Sequence, residues 1–322
     1  MRVRVLGAAA GGGFPQWNCG CPNCDAVRRG DPRVKSRTQD SLAFAAGGSS
    51  RESLAPGEIE DESADTAWHL VNASPDIHRQ IAENRPLQPR APRHSPIASI
   101  ILTNGDLDHV LGLFSLRESW PLTLYATDAV RAGLEERNAI WRTLKRFATQ
   151  VTWKRLELGK AIPLGEGDLG DGPLTVEARA VPGKLPVHLE GITTPSPEDN
   201  VGLWIRESAT KKCAVYVGAA ASLDAIAPEL EEGDCVFVDG TFWSSDELVA
   251  QGLSKARAED MAHLPIGGER GSLQKLASLK SRRKVFTHIN NSNPILVDGS
   301  PESRAVIEAG WEIAYDTMEI IP

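Results

Sequence analysis

Little in this 322-residue sequence points to a membrane or a nucleic acid. No stretch is long and apolar enough to span a bilayer. The opening Met1-Arg2-Val3-Arg4-Val5-Leu6-Gly7 alternates like a strand, with no apolar segment behind it, which argues against a signal peptide. A cytoplasmic protein without membrane insertion is expected, and moving anything across a membrane would need a partner. Basic residues are in the minority, 35 Lys and Arg against 43 Asp and Glu, for a net charge of −8. That sign does not suit general binding to nucleic acid or acidic lipid. The glycine run Ala8–Gly13 is followed by no Gly-Lys-Ser/Thr and fits no G-x-G-x-x-G spacing, which argues against a phosphate loop or a dinucleotide fold. Sharp composition changes and internal repeats are also missing, so one domain over residues 1–322 is expected. The Ser-, Gly-, Glu- and Asp-rich segment near 47–66 reads as a flexible insertion within it.

Cysteine is scarce and odd in number, with five residues. Cys213 and Cys235 each sit in an apolar run and read as small buried hydrophobes. The other three crowd into Cys19-Gly20-Cys21-Pro22-Asn23-Cys24. Three free thiols in one loop would be an oxidation hazard, whereas three thiolates can wrap one Zn²⁺ and leave a single ligand to be found elsewhere. A closed, structural zinc site is expected.

Short β-rich runs recur: 1–7, Trp68–Asn72, Ser99–Thr103, Leu122–Ala126, several within Val151–Ala180, then Val201–Arg206, Cys213–Val217, Cys235–Val238, Lys284–His288 and Glu312–Tyr315. Helices are expected at Ile77–Asn84, Val110–Arg117, Thr127–Phe147, Leu223–Leu230, Gly271–Leu279 and 303–309. A strand-rich half with helices is followed by a second half that does the same, which predicts a layered α/β protein.

Chemistry gathers where these runs stop. Asn104-Gly105-Asp106-Leu107-Asp108-His109 follows a strand and opens a helical stretch, where α/β folds present their sites. Two carboxylates and an imidazole this close are hard to bury without a cation. Asp239 ends Cys235–Val238 and precedes Gly240, so it is either a ligand at a strand tip or a turn aspartate. His288 likewise ends a strand. His263, in Met261-Ala262-His263-Leu264-Pro265, suits acid/base or supporting work as well as a helix entry. His69, His78 and His94 have no such context and read as structural or exposed.

These segments together resemble the metallo-β-lactamase superfamily, in particular its phosphodiesterase-like branch and the proteins that take part in making pyrroloquinoline quinone (PQQ). The resemblance runs through Leu6–Gly13, the Cys19/Cys21/Cys24 knot, Asn72–Gln80, Thr103–Gly112, Val238–Phe242, Met261–Gly267 and, most specifically, Thr287–Leu296. It implies a four-layer αβ/βα sandwich with a metal site formed by strand-end loops. The superfamily motif H-x-H-x-D-H has Asn104 and Asp106 in place of its leading histidines, and Gly183 stands where the next histidine belongs, with His188 nearby. The usual two-zinc hydrolytic centre is therefore incomplete.

What remains is His109 and His288 with Asp108, Asp239 and, in addition, Asp106. Two imidazoles and a carboxylate with open positions form the ligand set of non-haem Fe(II) oxygenases. The resemblance implies Fe²⁺ or another divalent metal at that site and structural Zn²⁺ at the cysteines. Asn291 stands at the position of the relatives' fourth zinc ligand. The expected partner is PQQ or its Glu-Tyr-derived precursor, and a homo-oligomer is expected. Hydroxylation of the precursor's tyrosine moiety is the leading reaction, with His263 and Asp239 assisting. A carrier of PQQ or its precursor is the alternative, and a metal-dependent hydrolase ranks last.

Overall fold

The computed structural model describes residues 1–47, 66–165 and 172–322. The insertion expected near 47–66 lies almost wholly outside them. Fourteen strands are described: β1 (Arg2–Gly7), β2 (Ser41–Ala45), β3 (Trp68–Val71), β4 (Ile97–Ile101), β5 (Leu122–Ala126), β6 (Val151–Arg155), β7 (Ile162–Leu164), β8 (Leu174–Ala180), β9 (Val201–Glu207), β10 (Cys213–Val217), β11 (Cys235–Asp239), β12 (Arg283–Thr287), β13 (Glu312–Ile313) and β14 (Glu319–Ile320). They form two seven-stranded sheets, β14-β1-β2-β3-β4-β5-β6 and β13-β12-β11-β10-β9-β8-β7.

Each sheet has an antiparallel half, β14 through β3 in one and β7 through β10 in the other. Each continues as a parallel half, β3 through β6 and β10 through β13. Side-chain alternation explains the layering. On β11, Cys235 and Phe237 face the other sheet, where they meet Val5, Phe44 and Ile101. Val236 and Val238 face the opposite way and pack with Leu230, Leu276 and Val306 from the helices outside the second sheet. Leu70, Ile100 and Leu124 do the same beneath the helices of the first sheet. The result is the expected αβ/βα sandwich with three apolar layers.

The helices are shorter than the apolar patterns suggest. Thr127–Phe147 yields a helix only over Asp128–Glu135, capped by Thr127, and a 3₁₀ turn over Ala139–Thr143. Asn138 sits between them in an extended conformation, and its side chain accepts the Ile140 N–H at 3.0 Å, so the chain restarts rather than continues. Val110–Arg117 becomes two four-residue helices, Leu107–Val110 and Gly112–Ser115. At Gly112 an added Cβ would fall 2.2 Å from the Ser74 carbonyl oxygen, so the loop after β3 and this helix pair touch backbone to backbone. Leu223–Leu230 and Gly271–Leu279 each shrink to a single turn, Ala227–Leu230 and Ser272–Lys275. Among the described residues, no helix is long and apolar enough to cross a membrane.

Candidate metal centre

Parallel strands deliver their carboxyl ends to one edge of the sandwich, and the loops that follow carry the polar residues. On β11 and β12, Asp239 pairs in register with Thr287, which brings Asp239 and His288 to the same edge. The loop after β4 reaches this edge from the other sheet, where Asn104 bridges Asn200 just ahead of β9. Asp108 and His109 sit in the one-turn helix that follows. They line a cavity of about 450 Å³ together with His263, His188 and Lys184.

Asp108, His109 and His288 each offer a ligand atom, and these atoms lie within 4.8 Å of one another. The Asp108 Oδ2 is 3.2 Å from His288 Nε2 and 3.7 Å from His109 Nε2. Neighbouring ligands of one ion with bonds of about 2.1 Å stand roughly 3 to 3.5 Å apart, so the spacing suits a shared cation. His109 Nδ1 lies 2.7 Å from Asn104 Oδ1, which can only accept, so the proton is on Nδ1 and the Nε2 lone pair faces the cavity. That Nε2 is buried without a hydrogen-bond partner, a costly state that a metal ion relieves.

Electrostatics agree. Burial resists ionisation of Asp108, but the fields of His109 and His288 outweigh it and hold the carboxyl far below its ordinary value. Burial likewise resists charging His288, yet Asp108 lifts its pKa to about 9. A proton therefore sits between Asp108 and His288 where a cation fits. The His288 backbone has φ of +54°, a left-handed conformation costing an imidazole-bearing residue on the order of 1 to 3 kcal/mol. The next amide donates to Ala8 O at 2.8 Å, which holds it there, and its carbonyl lies 3.0 Å from the Thr241 hydroxyl oxygen.

Asp239 stands apart from that triad. Its Oδ1 accepts the Thr241 N–H at 2.9 Å and hydroxyl at 2.6 Å. Its Oδ2 accepts the Ala220 N–H at 2.9 Å and lies 2.8 Å from His263 Nδ1. It groups with His263 and His288 as a second possible donor set. In this geometry the carboxylate orients His263 and Thr241. Asp106 lines the cavity but belongs to neither donor set among the described residues. Burial and the neighbouring Asp108 raise its pKa, so, unlike Asp108 and Asp239, it resists ionisation. His69 is buried against Ser99, His78 bonds Ser115 O, and His94 packs on Trp120.

The cysteines form a separate set. Cys21 caps the helix Pro22–Arg28, and Cys24 lies in its first turn. The terminal amide nitrogen of Asn291 lies 3.1, 3.5 and 3.4 Å from the sulfurs of Cys19, Cys21 and Cys24. A half-turn of the amide puts its oxygen there. In a tetrahedral zinc site with Zn–S of about 2.3 Å and Zn–O of about 2.1 Å, the sulfur–oxygen edge is roughly 3.5 Å. Burial pushes the Cys24 thiol up to about 12, while hydrogen bonds from Cys24 N–H and the neighbouring thiols outweigh burial at Cys21 and lower its pKa. Crowded sulfurs that cannot all ionise alone fit a cation among them.

Sequence reasoning overlooked several supports. Asn23 donates to the carbonyls of Asn291 and Asn293 at 3.1 and 3.0 Å, tying the cysteine loop to the loop after β12. Asp40, fully buried, bonds the hydroxyls of Tyr216 and Thr287 directly beneath His288. Its only signal was a charge just ahead of the apolar run Ser41–Ala45, whereas Asp239 drew attention by ending one. Glu247, buried beside Ser292, has its pKa raised by burial to about 7 and accepts the Trp243 N–H at 2.6 Å.

The profile of the Beta-lactamase superfamily domain matches residues 67–289. A protein named coenzyme PQQ synthesis protein B from Rhizobium meliloti (strain 1021) is 42% identical, covering 99% of this chain and 97% of the relative. Its namesake from Bradyrhizobium diazoefficiens is 40% identical, covering 100% and 99%. This chain belongs to the coenzyme PQQ synthesis protein B family. The crystal structure of Zn²⁺-bound PqqB from Methylobacterium extorquens superposes with a TM-score of 0.87 at 35% identity, covering all of both chains. A diphosphatase of the PhnP family, 20% identical, superposes with a TM-score of 0.65 over 100% of this chain and 97% of its own, which extends the fold likeness alone.

Proposed function

We propose that the chain acts in PQQ biosynthesis as an oxygen-dependent hydroxylase of the tyrosine moiety in a Glu-Tyr-derived precursor. In this reading Asp108, His109 and His288 hold one Fe²⁺. The observation that carries it is the cluster of two imidazoles and one carboxylate on a cavity wall, with His109 Nε2 buried and unpartnered. Such a set leaves adjacent positions open. The family's name supports the pathway, and a zinc-bound relative supports a divalent ion.

Bound iron would supply the activation of O₂; one oxygen atom enters a ring C–H bond and the other leaves as water, with two electrons from an added reductant such as ascorbate. The chain's own residues do the rest. Asn104 fixes the ring of His109, and Thr241 accepts from His288 Nδ1 at 3.0 Å, which turns both Nε2 atoms toward the ion. His263, held through Nδ1 by Asp239, presents a second nitrogen on a ring that lines the cavity and can move a proton at the phenol. Among the described lining residues, Lys184 is the one lysine or arginine, placed to pair with a precursor carboxylate. A volume of about 450 Å³ accommodates a dipeptide-sized molecule.

The test is anaerobic loading with Fe²⁺, then oxygen, ascorbate and a Glu-Tyr dipeptide, with mass spectrometry of the product. Added mass of one or two oxygen atoms, absent in His109→Ala, supports the hydroxylase. No added oxygen, with tight binding of finished PQQ, would replace it with a carrier.

A further inference from the structure

The metal centre lies where the parallel strands end. The opposite rim of the first sheet, where its strands begin, carries a different feature. Helix Asp128–Glu135 leads back from the end of β5, and residues 139–150 then enter β6, whose Val151 stands beside Leu122, the first residue of β5. Between Arg131 and Arg155 the chain has seven Lys and Arg against two Glu, although its net charge is −8. All seven are exposed. Arg131 and Lys145 pair with Glu135, and Arg155 pairs with Asp128. Arg137, Arg142, Arg146 and Lys154 have no carboxylate partner among the described residues.

An aromatic cavity opens among these cations. About 320 Å³ in volume, it is lined by Trp141, Leu144, Lys145, Phe147, Val151 and Trp153. Trp141 is buried and stacks on half-buried Trp153, with ring centroids 5.3 Å apart. Phe147 is 42% exposed, and Ile140, next in the chain to Trp141, is 58% exposed. The Arg131 guanidinium stands 5.7 Å from the Trp153 ring centre, and that of Arg146 stands 5.6 Å from the Phe147 ring centre. Cations over aromatic faces thus keep positive charge beside an apolar floor. The volume is at the small end for a ligand cleft and suits the large side chains of a partner. β6 is also the last strand of its sheet, and no strand pairs with its far side among the described residues. Outward N–H and C=O groups on such an edge can take an added strand. Lys154 and Arg155 alone would serve to blunt the edge. An aromatic cavity beside them does the reverse, because exposed apolar surface invites contact.

We propose that β6 and this cavity form a docking surface for an acidic peptide segment of a partner protein. The segment adds as a strand along β6, places a large apolar side chain between Phe147 and Trp153, and sets its carboxylates against Arg142, Arg146 and Lys154. Charge complementarity selects that occupant. A second copy of this chain pairing through β6 would bring Lys154 and Arg155 against their own kind. A nucleic acid or an anionic membrane would meet the same cations, but neither uses an open strand edge. The rest of the chain carries a larger negative charge than the whole and repels both. Docking at this rim leaves the mouth of the metal-site cavity free, so the partner is held without blocking the site.

The probe is a fluorescein-labelled peptide, Val-Glu-Val-Glu-Phe-Glu-Val-Glu-Val, added to the intact metal-loaded chain and followed by fluorescence anisotropy. A control peptide has Lys in place of every Glu. Wild type is expected to bind the acidic peptide at low salt, more weakly as salt rises, and to ignore the Lys peptide. Arg142→Glu with Arg146→Glu, and separately Phe147→Ser, should each weaken binding by about tenfold or more, with metal content and thermal midpoint as in wild type. Hydrogen exchange at the β6 amides should slow on binding. No binding, equal binding of the Lys peptide, or unchanged affinity in both variants would overturn the proposal. So would tighter binding of a single-stranded oligonucleotide or of phosphatidylglycerol vesicles that the Arg142→Glu and Arg146→Glu pair abolishes, which would make the surface a polyanion site. A dimer in sedimentation that Phe147→Ser dissolves would overturn it in favour of a contact between copies.

Discussion

Two donor clusters hang from one loop. His288 and Asn291, three residues apart after β12, reach the imidazole–carboxylate set and the thiol set respectively. They differ in what surrounds them. Around the thiols, Cys21 and Cys24 are buried, and Asn291 closes the fourth side. Around Asp108 and the two histidines, one side opens into the cavity. A closed set is suited to holding segments together, and an open set to meeting a substrate. The short distance between them along the chain means that the thiol set also fixes the backbone from which His288 projects.

That contrast breaks most sharply at the open set. His109→Ala or His288→Ala is expected to abolish oxygen-dependent turnover and to remove the second metal while one zinc per chain remains, as metal analysis would reveal. Loss of both metals would show that the two sets are not separable. Cys21→Ser should invert the pattern. Structural zinc contributes folding energy directly, so the thermal midpoint should fall by roughly 10 °C, followed by circular dichroism, while Fe²⁺ still binds the folded fraction. His263→Gln should leave both metals in place and lower kcat by about 100-fold or more, the scale of a lost proton-transfer group. Unchanged kcat would reduce His263 to a support for Asp239.

A smaller effect separates the site from the scaffold. His69, on β3, belongs to neither cluster; it is bonded to Ser99 and has its pKa lowered by burial to about 4. The unfolded chain takes up the proton near 6.5 and the folded chain resists it down to about 4. Its contribution is thus complete above 6.5 and is lost as pH falls toward 4. Between pH 7 and 5 the loss is about 2 kcal/mol, and His69→Gln should flatten that slope in urea melts. An unchanged slope would place the acid sensitivity elsewhere.

The layered architecture was legible because buried strands are continuous apolar runs, and the ends of those runs marked Asp108, His109, Asp239 and His288. Helix lengths were not, because apolar residues at Thr127–Phe147 continue past Asn138 while the backbone does not. β2 passed unnoticed although Ser41–Ala45 is fully buried. Asp106 stood out in its motif as strongly as Asp108, yet the one-turn helix starting at Leu107 turns only the latter toward His288. Asn200 carried no signal at all. Its meaning comes from a contact with Asn104 across 96 positions of chain, which no local pattern records.

The central claim is that the two clusters hold different metals for different ends. Anomalous diffraction at the zinc and iron edges, on crystals loaded anaerobically with Fe²⁺, tests it most directly. The account predicts zinc among Cys19, Cys21, Cys24 and Asn291, and a single iron among Asp108, His109 and His288. Iron among the sulfurs, or no metal between Asp108 and His288, would contradict it.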